Sequence, residues 1–183
     1  MKGNPFLLYL LKFLLTFCIL YYGTKAMIGI TTPGGYYVAF ADKYLDYISG
    51  FRSLLLNSSK LLLQVIGFDV YLKDGYTIRM LNGRGVKVVY SCLGYGVISF
   101  WIAFIFANNS TVKKMLQWMV GGVLVICLLN IFRISLMLIS VNKHWPSLFN
   151  LDNHTWFNIV LYGVLFFMIY LFDRSQQSGK ATG

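Results

Sequence analysis

The sequence predicts an all-α integral membrane helical bundle of about four transmembrane helices, with interfacial amphipathic helices and a small extracytoplasmic β-hairpin. Three observations carry this prediction. The 183 residues are 57% hydrophobic and only 12% charged, with apolar runs that a water-soluble domain of this size could not hide. An amphipathic stretch separates the first of those runs from the rest. Turn signals between β-prone residues then precede residue 91.

The elements follow in order, as one membrane domain over residues 1–183. Phe6 to Tyr22 is a run of about 17 residues, roughly 26 Å as a helix, and extends through Met27, so the first span is set at 6–28. A cleaved signal peptide is the rival reading, but the run is long for such a segment, contains Lys12, and is followed only by the poor site Thr24-Lys25-Ala26. Thr31-Thr32-Pro33-Gly34-Gly35 breaks the helix. Over 36–68, Ala41, Leu45, Ile48, Leu55, Leu62 and Ile66 form an apolar stripe, with Asp42, Lys43, Asp46, Arg52, Asn57, Lys60 and Gln64 elsewhere, which fits one or two helices lying at the interface. Over 69–91 the period changes: Asp74-Gly75 sits between β-prone flanks and Asn82-Gly83-Arg84-Gly85 introduces Val86 to Tyr90, so a hairpin or three-stranded piece is expected. Apolar runs then set spans at 92–108, 115–141 and 154–173, leaving 174–183 as a polar tail.

Lys113 and Lys114 between the second and third spans, and Arg174 and Lys180 after the fourth, place those ends in the cytoplasm. Both termini are then inside, and residues 31–91 outside, in the inner (cytoplasmic) membrane. Seven Lys or Arg within 31–91 run against the orienting rule, which is counted over short loops. The net charge of +10 suits anionic headgroups; with no dense basic block or recognisable binding module, nucleic acid is not an expected partner. Cys18, Cys92 and Cys127 are an odd count and imply no disulfide framework. No metal or cofactor is expected: the chain has two His, no Glu and no His-Glu-x-x-His. A Gly-x-Ser-x-Gly elbow does not occur either. Leu93-Gly94-Tyr95-Gly96 has the look of a channel filter, but it follows a strand-like run and begins a span instead of lying between two.

Three residue positions then call for explanation. Arg133 lies inside an apolar run, where a charge costs on the order of 3 kcal/mol by insertion scales. It stands seven residues before Ser140, roughly 10 Å below the expected helix end. Snorkelling is the plain account, while Asn130, on the same face three residues earlier, favours a polar cavity within the bundle. His154 follows the cap residues Asp152 and Asn153 at the head of the last span, where it is either a catalyst or a solvated bystander; His144 reads as a bystander. Cys92 is expected to cap the outer end of the second span, where the helix dipole favours a thiolate, with Gly94 and Gly96 leaving bare backbone beside it. Spans running down, up and down bring the three to one leaflet. A thiol nucleophile, an imidazole to exchange protons and a guanidinium to stabilise negative charge suffice to break an acyl bond through a thioester.

In order and approximate spacing, Cys92-Leu93-Gly94, Asn130-Ile131-Phe132-Arg133 and His154 resemble the motifs of the exosortase and archaeosortase family, over about residues 68 to 173. Its members are membrane cysteine transpeptidases that cleave C-terminal sorting signals from exported proteins and attach the product to a cell-surface acceptor. The short length and His154-Thr155-Trp156-Phe157-Asn158 look most like the compact members found in Bacteroidetes. The resemblance implies Cys92 as nucleophile with Arg133 and His154 as partners, Asn130 and Gly94 in support, and a membrane lipid or lipid- or glycan-linked acceptor. Leu93 stands where members commonly carry a small polar residue, and many members have more N-terminal spans. The alternative is a non-catalytic assembly or scaffold subunit of an export or envelope system. The basic residues Lys73, Arg79, Arg84 and Lys87 would either hold an anionic headgroup or an acidic substrate stretch, or form a solvated face.

Overall fold

The computed structural model describes residues 4–32, 36–108, 110–143 and 153–181, and the side chains of these except 153, 154 and 178–181. The first helix, α1 (Pro5–Thr31), starts where Asn4 accepts a hydrogen bond from the Phe6 amide at 3.1 Å and Pro5 presets the first turn. Its 27 residues reach about 40 Å, and Phe6, Leu7, Leu11, Leu15 and Ile19 all face outward. So long an exposed apolar surface belongs against lipid.

Two more helices are long and apolar enough to cross a bilayer, α5 (Val112–Lys143) and α6 (Asn153–Ala181). The chain is therefore a multi-pass membrane protein, mostly helical. The second expected span is shorter than predicted: α4 is Tyr95–Ala107, 13 residues or about 20 Å against a hydrocarbon core near 30 Å. Contacts fix the helix directions. Phe13 meets Phe100 and Tyr21 meets Tyr95, so α1 and α4 run antiparallel. Trp101 Nε1 donates to the Trp118 carbonyl at 3.0 Å and Asn130 Nδ2 to the Leu93 carbonyl at 3.1 Å, so α5 returns antiparallel to α4.

Between α1 and α4 lie α2 (Ala39–Leu45), α3 (Tyr47–Val65) and a three-stranded antiparallel sheet. Asp46 separates the two helices and caps α3 by accepting from the Ser49 amide at 3.0 Å. This break interrupts the expected apolar stripe. Ala41, Ile48 and Leu55 are buried, but Leu45 and Ile66 are exposed, and Leu56, Ser59 and Leu63 are buried instead because α3 packs against both α5 and the sheet. Strands β1 (Val70–Lys73), β2 (Thr77–Met80) and β3 (Gly85–Lys87) align Leu72, Ile78 and Val86 in one row toward the core. By the same alternation Lys73, Arg79 and Lys87 share the opposite face. Asp74 and Gly75, with φ of 57° and 69°, make the first turn. The second turn is fastened to the end of α5: Asn142 Oδ1 accepts from the Arg84 amide at 2.6 Å while its Nδ2 donates to the Arg84 carbonyl at 3.1 Å.

Two cores result. One, at the sheet end, joins Leu55, Leu56 and Leu63 of α3 to Ile78, Leu93 and Leu138. The other, at the far end of the bundle, gathers Trp101, Ile105, Ile126, Leu165, Met168 and Phe172 from α4, α5 and α6.

Candidate functional site

The chain leaves the sheet with the Val88 amide donating to the Tyr76 carbonyl at 2.8 Å. After extended Val89 it makes a 3-10 turn, Tyr90–Leu93, closed by the Cys92 amide donating to the Val89 carbonyl at 2.9 Å. Gly94 follows with φ 75° and ψ 14°, and α4 begins at Tyr95. Cys92 thus sits in the turn before the helix and does not cap it. The cap position itself belongs to Gly94, two residues further on. The thiol is unpaired, half-buried and packed against the sheet-end core.

Gly94 has two reasons to be glycine. Its φ lies in the left-handed region, and a Cβ there would overlap the Asn130 side-chain amide. Asn130 itself is 1% exposed, and its Nδ2 grips the carbonyl of Leu93, the residue after the thiol. The Cys-x-Gly and Asn-x-x-Arg patterns therefore meet in space, with α5 holding the turn that carries Cys92.

Arg133 is one turn along the same face of α5, about 4.5 Å further by helical rise. It is 6% exposed, and its Nε and Nη2 have no hydrogen-bond partner among the described residues. Because α5 continues to Lys143, Arg133 is about 15 Å from the helix end, deeper than the 10 Å expected with an end at Ser140. The guanidinium is turned into the protein and not out toward its surface. It lines a cavity of about 410 Å³ between α5 and α6 whose walls are otherwise mainly apolar, among them Leu129, Phe132, Leu136, Trp156 and Val160. A buried N–H without an acceptor costs about 1–3 kcal/mol, more when charged, so an acceptor or an anion beside this guanidinium would be favoured.

His154 occupies the first turn of α6, two residues before Trp156, which lines the cavity; its imidazole, like His144, lies outside the described residues. The structure thus joins Cys92, Gly94 and Asn130 through direct neighbours, sets Arg133 one turn away, and brings the backbone of residue 154 to the cavity's flank. Among the described residues no cluster of three His, Cys, Asp or Glu could hold a metal.

Residues 5–171 match the family model for transmembrane exosortases. The chain belongs to the transmembrane exosortase family. No curated protein and no solved structure matches it. Within this exosortase the helices that frame Cys92 and Arg133, α4 and α5, both fall inside the matched region.

The sequence reading did not single out three residues beside the thiol. Arg52 Nη2 donates to the Tyr90 hydroxyl at 3.2 Å, Thr32 Oγ1 donates to the same oxygen at 3.2 Å, and the Arg52 guanidinium lies 4.5 Å above the centre of the Tyr90 ring. Their partners are 38 and 58 residues apart in sequence, so no local pattern could reveal them.

Proposed function

We propose that this exosortase is a cysteine transpeptidase that cleaves C-terminal sorting signals of exported proteins and passes the product to a membrane lipid or a lipid- or glycan-linked acceptor. The observation that carries this reading is the buried Arg133 guanidinium, with open N–H groups, facing an apolar cavity one turn from the Asn130 that grips the thiol-bearing turn. In the proposed reaction the Cys92 thiolate attacks the scissile carbonyl. The C–S bond forms as negative charge gathers on the carbonyl oxygen, where Arg133 stabilises it. The C–N bond then breaks, and the leaving amine takes a proton from the His154 imidazolium. A nucleophile on the acceptor gives up its proton to the now neutral imidazole, attacks the thioester and returns the thiolate.

In this reading α4 is a fourth, short crossing, both termini are cytoplasmic, and the Cys92 turn opens on the extracytoplasmic side of the inner membrane. The apolar cavity walls suit a substrate that reaches the site while still embedded in lipid. The deciding experiment traps a thioester between Cys92 and a sorting-signal substrate. A covalent adduct is expected with the native chain and none with Cys92→Ala, alongside a loss of cleavage of at least ~10³-fold. Cleavage that persists in both Cys92→Ala and Arg133→Ala, with the fold intact, would point to the scaffold reading instead. A thiol reagent that cannot cross membranes is expected to label Cys92 in intact cells; failure to do so would overturn the orientation.

A further inference from the structure

We infer that Arg52, Tyr90 and Thr32 form a positioning clasp that sets the orientation and exposure of the Cys92 thiol. The turn bearing Cys92 is short and has pivots on both sides. It is a single short 3-10 turn, entered by the bond from the Cys92 amide to the Val89 carbonyl. Upstream, Val89 is 42% exposed and extended; downstream, Gly94 is in the left-handed region, which glycine enters and leaves at little cost. Packing of Leu93 into the sheet-end core limits rotation of this four-residue turn, and ties to neighbouring elements at its two ends restrict it further.

The structure supplies ties at both ends. Asn130 of α5 holds the Leu93 carbonyl at the downstream end. At the upstream end the Tyr90 hydroxyl accepts from Arg52 of α3 and from Thr32, which caps the end of α1. Arg52 is itself oriented by donating to Ser49 Oγ at 3.1 Å, and it stacks over the ring whose hydroxyl it holds. One guanidinium therefore makes a hydrogen bond through Nη2 and a cation–π contact through its central carbon, a combination that a compact ammonium matches poorly. The clasp links three elements, α1, α3 and the turn, at the residue two positions before the thiol. Arg52, Tyr90 and Thr32 touch no reacting atom; they act through the backbone that carries Cys92.

The test measures the thiol directly, in the full chain with Cys18→Ala and Cys127→Ala so that Cys92 is the one reactive sulfur. In Tyr90→Phe the ring and its stack remain while both hydroxyl bonds are lost. Alkylation of Cys92 by a water-soluble maleimide is expected to quicken by about tenfold, the scale of one lost charge-assisted hydrogen bond, as the half-buried thiol swings outward. Sorting-signal cleavage is expected to lose a similar factor in kcat with KM held, and the thermal midpoint to stay within about 2 °C. Arg52→Lys is expected to move both rates in the same directions, and Thr32→Val to do so more weakly, which keeps the test alive if Tyr90→Phe folds poorly. Alkylation and cleavage within twofold of the parent in all three variants would overturn the clasp. So would faster alkylation that appears only in step with a falling thermal midpoint, since that marks a general brace of the fold. The cleavage arm rests on Cys92 being the nucleophile, but the alkylation arm does not. If Cys92→Ala still cleaves, the functional reading fails and alkylation alone decides the clasp.

Discussion

Trp101 of α4 and Arg133 of α5, buried toward opposite ends of the bundle, present their N–H groups in opposite ways. At the far end the indole of Trp101 is 0% exposed, and its N–H is satisfied by the Trp118 carbonyl. Phe172 closes over Trp118 edge-on at 5.5 Å. Toward the sheet end Arg133 is nearly as buried, but among the described residues its Nε and Nη2 are unanswered, as is the Ser135 hydroxyl. An indole answered from within serves stability, whereas a cation left open beside a cavity is what the proposed function would use.

That contrast can be broken in several ways, the strongest first. Trp101→Ala empties the far core, and is expected to lower stability by about 3–5 kcal/mol, read as a lower thermal midpoint in detergent or lipid. Arg133→Met is expected to do the reverse. Cleavage should fall by about 10²–10³-fold, while the midpoint holds or rises because an open buried charge has been removed. A midpoint drop of the Trp101 kind would make Arg133 a structural residue and erase the distinction. Gly122→Ala sharpens the contrast, since its new Cβ would run into the Trp101 indole; a loss of about 1–3 kcal/mol is expected, with Cys92 alkylation unchanged. Asn130→Leu belongs to the other end. It removes the grip on the Leu93 carbonyl, with about 1–3 kcal/mol of lost stability and a disproportionate loss of cleavage. Arg79→Ala on the open face of the sheet cuts one exposed bond to the Gly83 carbonyl and should change stability by less than about 0.5 kcal/mol.

Much of the architecture was legible because lipid makes simple demands on a sequence. The apolar runs of α1, α5 and α6 stand out by length alone, and Asp74-Gly75 announces its turn by residue type. What could not be read was set by distant partners. Cys92 looks like the head of a helix because the apolar run begins there. Gly94 instead turns left-handed against Asn130, a residue on another helix, and delays α4 to Tyr95. The polar pair Asn130 and Arg133 was visible as an i, i+3 pattern, but the open state of the guanidinium depends on how α6 packs. The clasp on Tyr90 left no trace in the local sequence at all.

The brevity of α4 bears on bilayer thickness. In the proposed topology, with Ala107 level with one headgroup layer, a helix of 13 residues stops about 10 Å short of the other. Hydrophobic mismatch of that size is relieved by acyl chains that shorten locally or by water that dips inward. Either response would make a funnel over the thiol, and on the proposed function a scissile peptide would have to descend into the membrane to meet it.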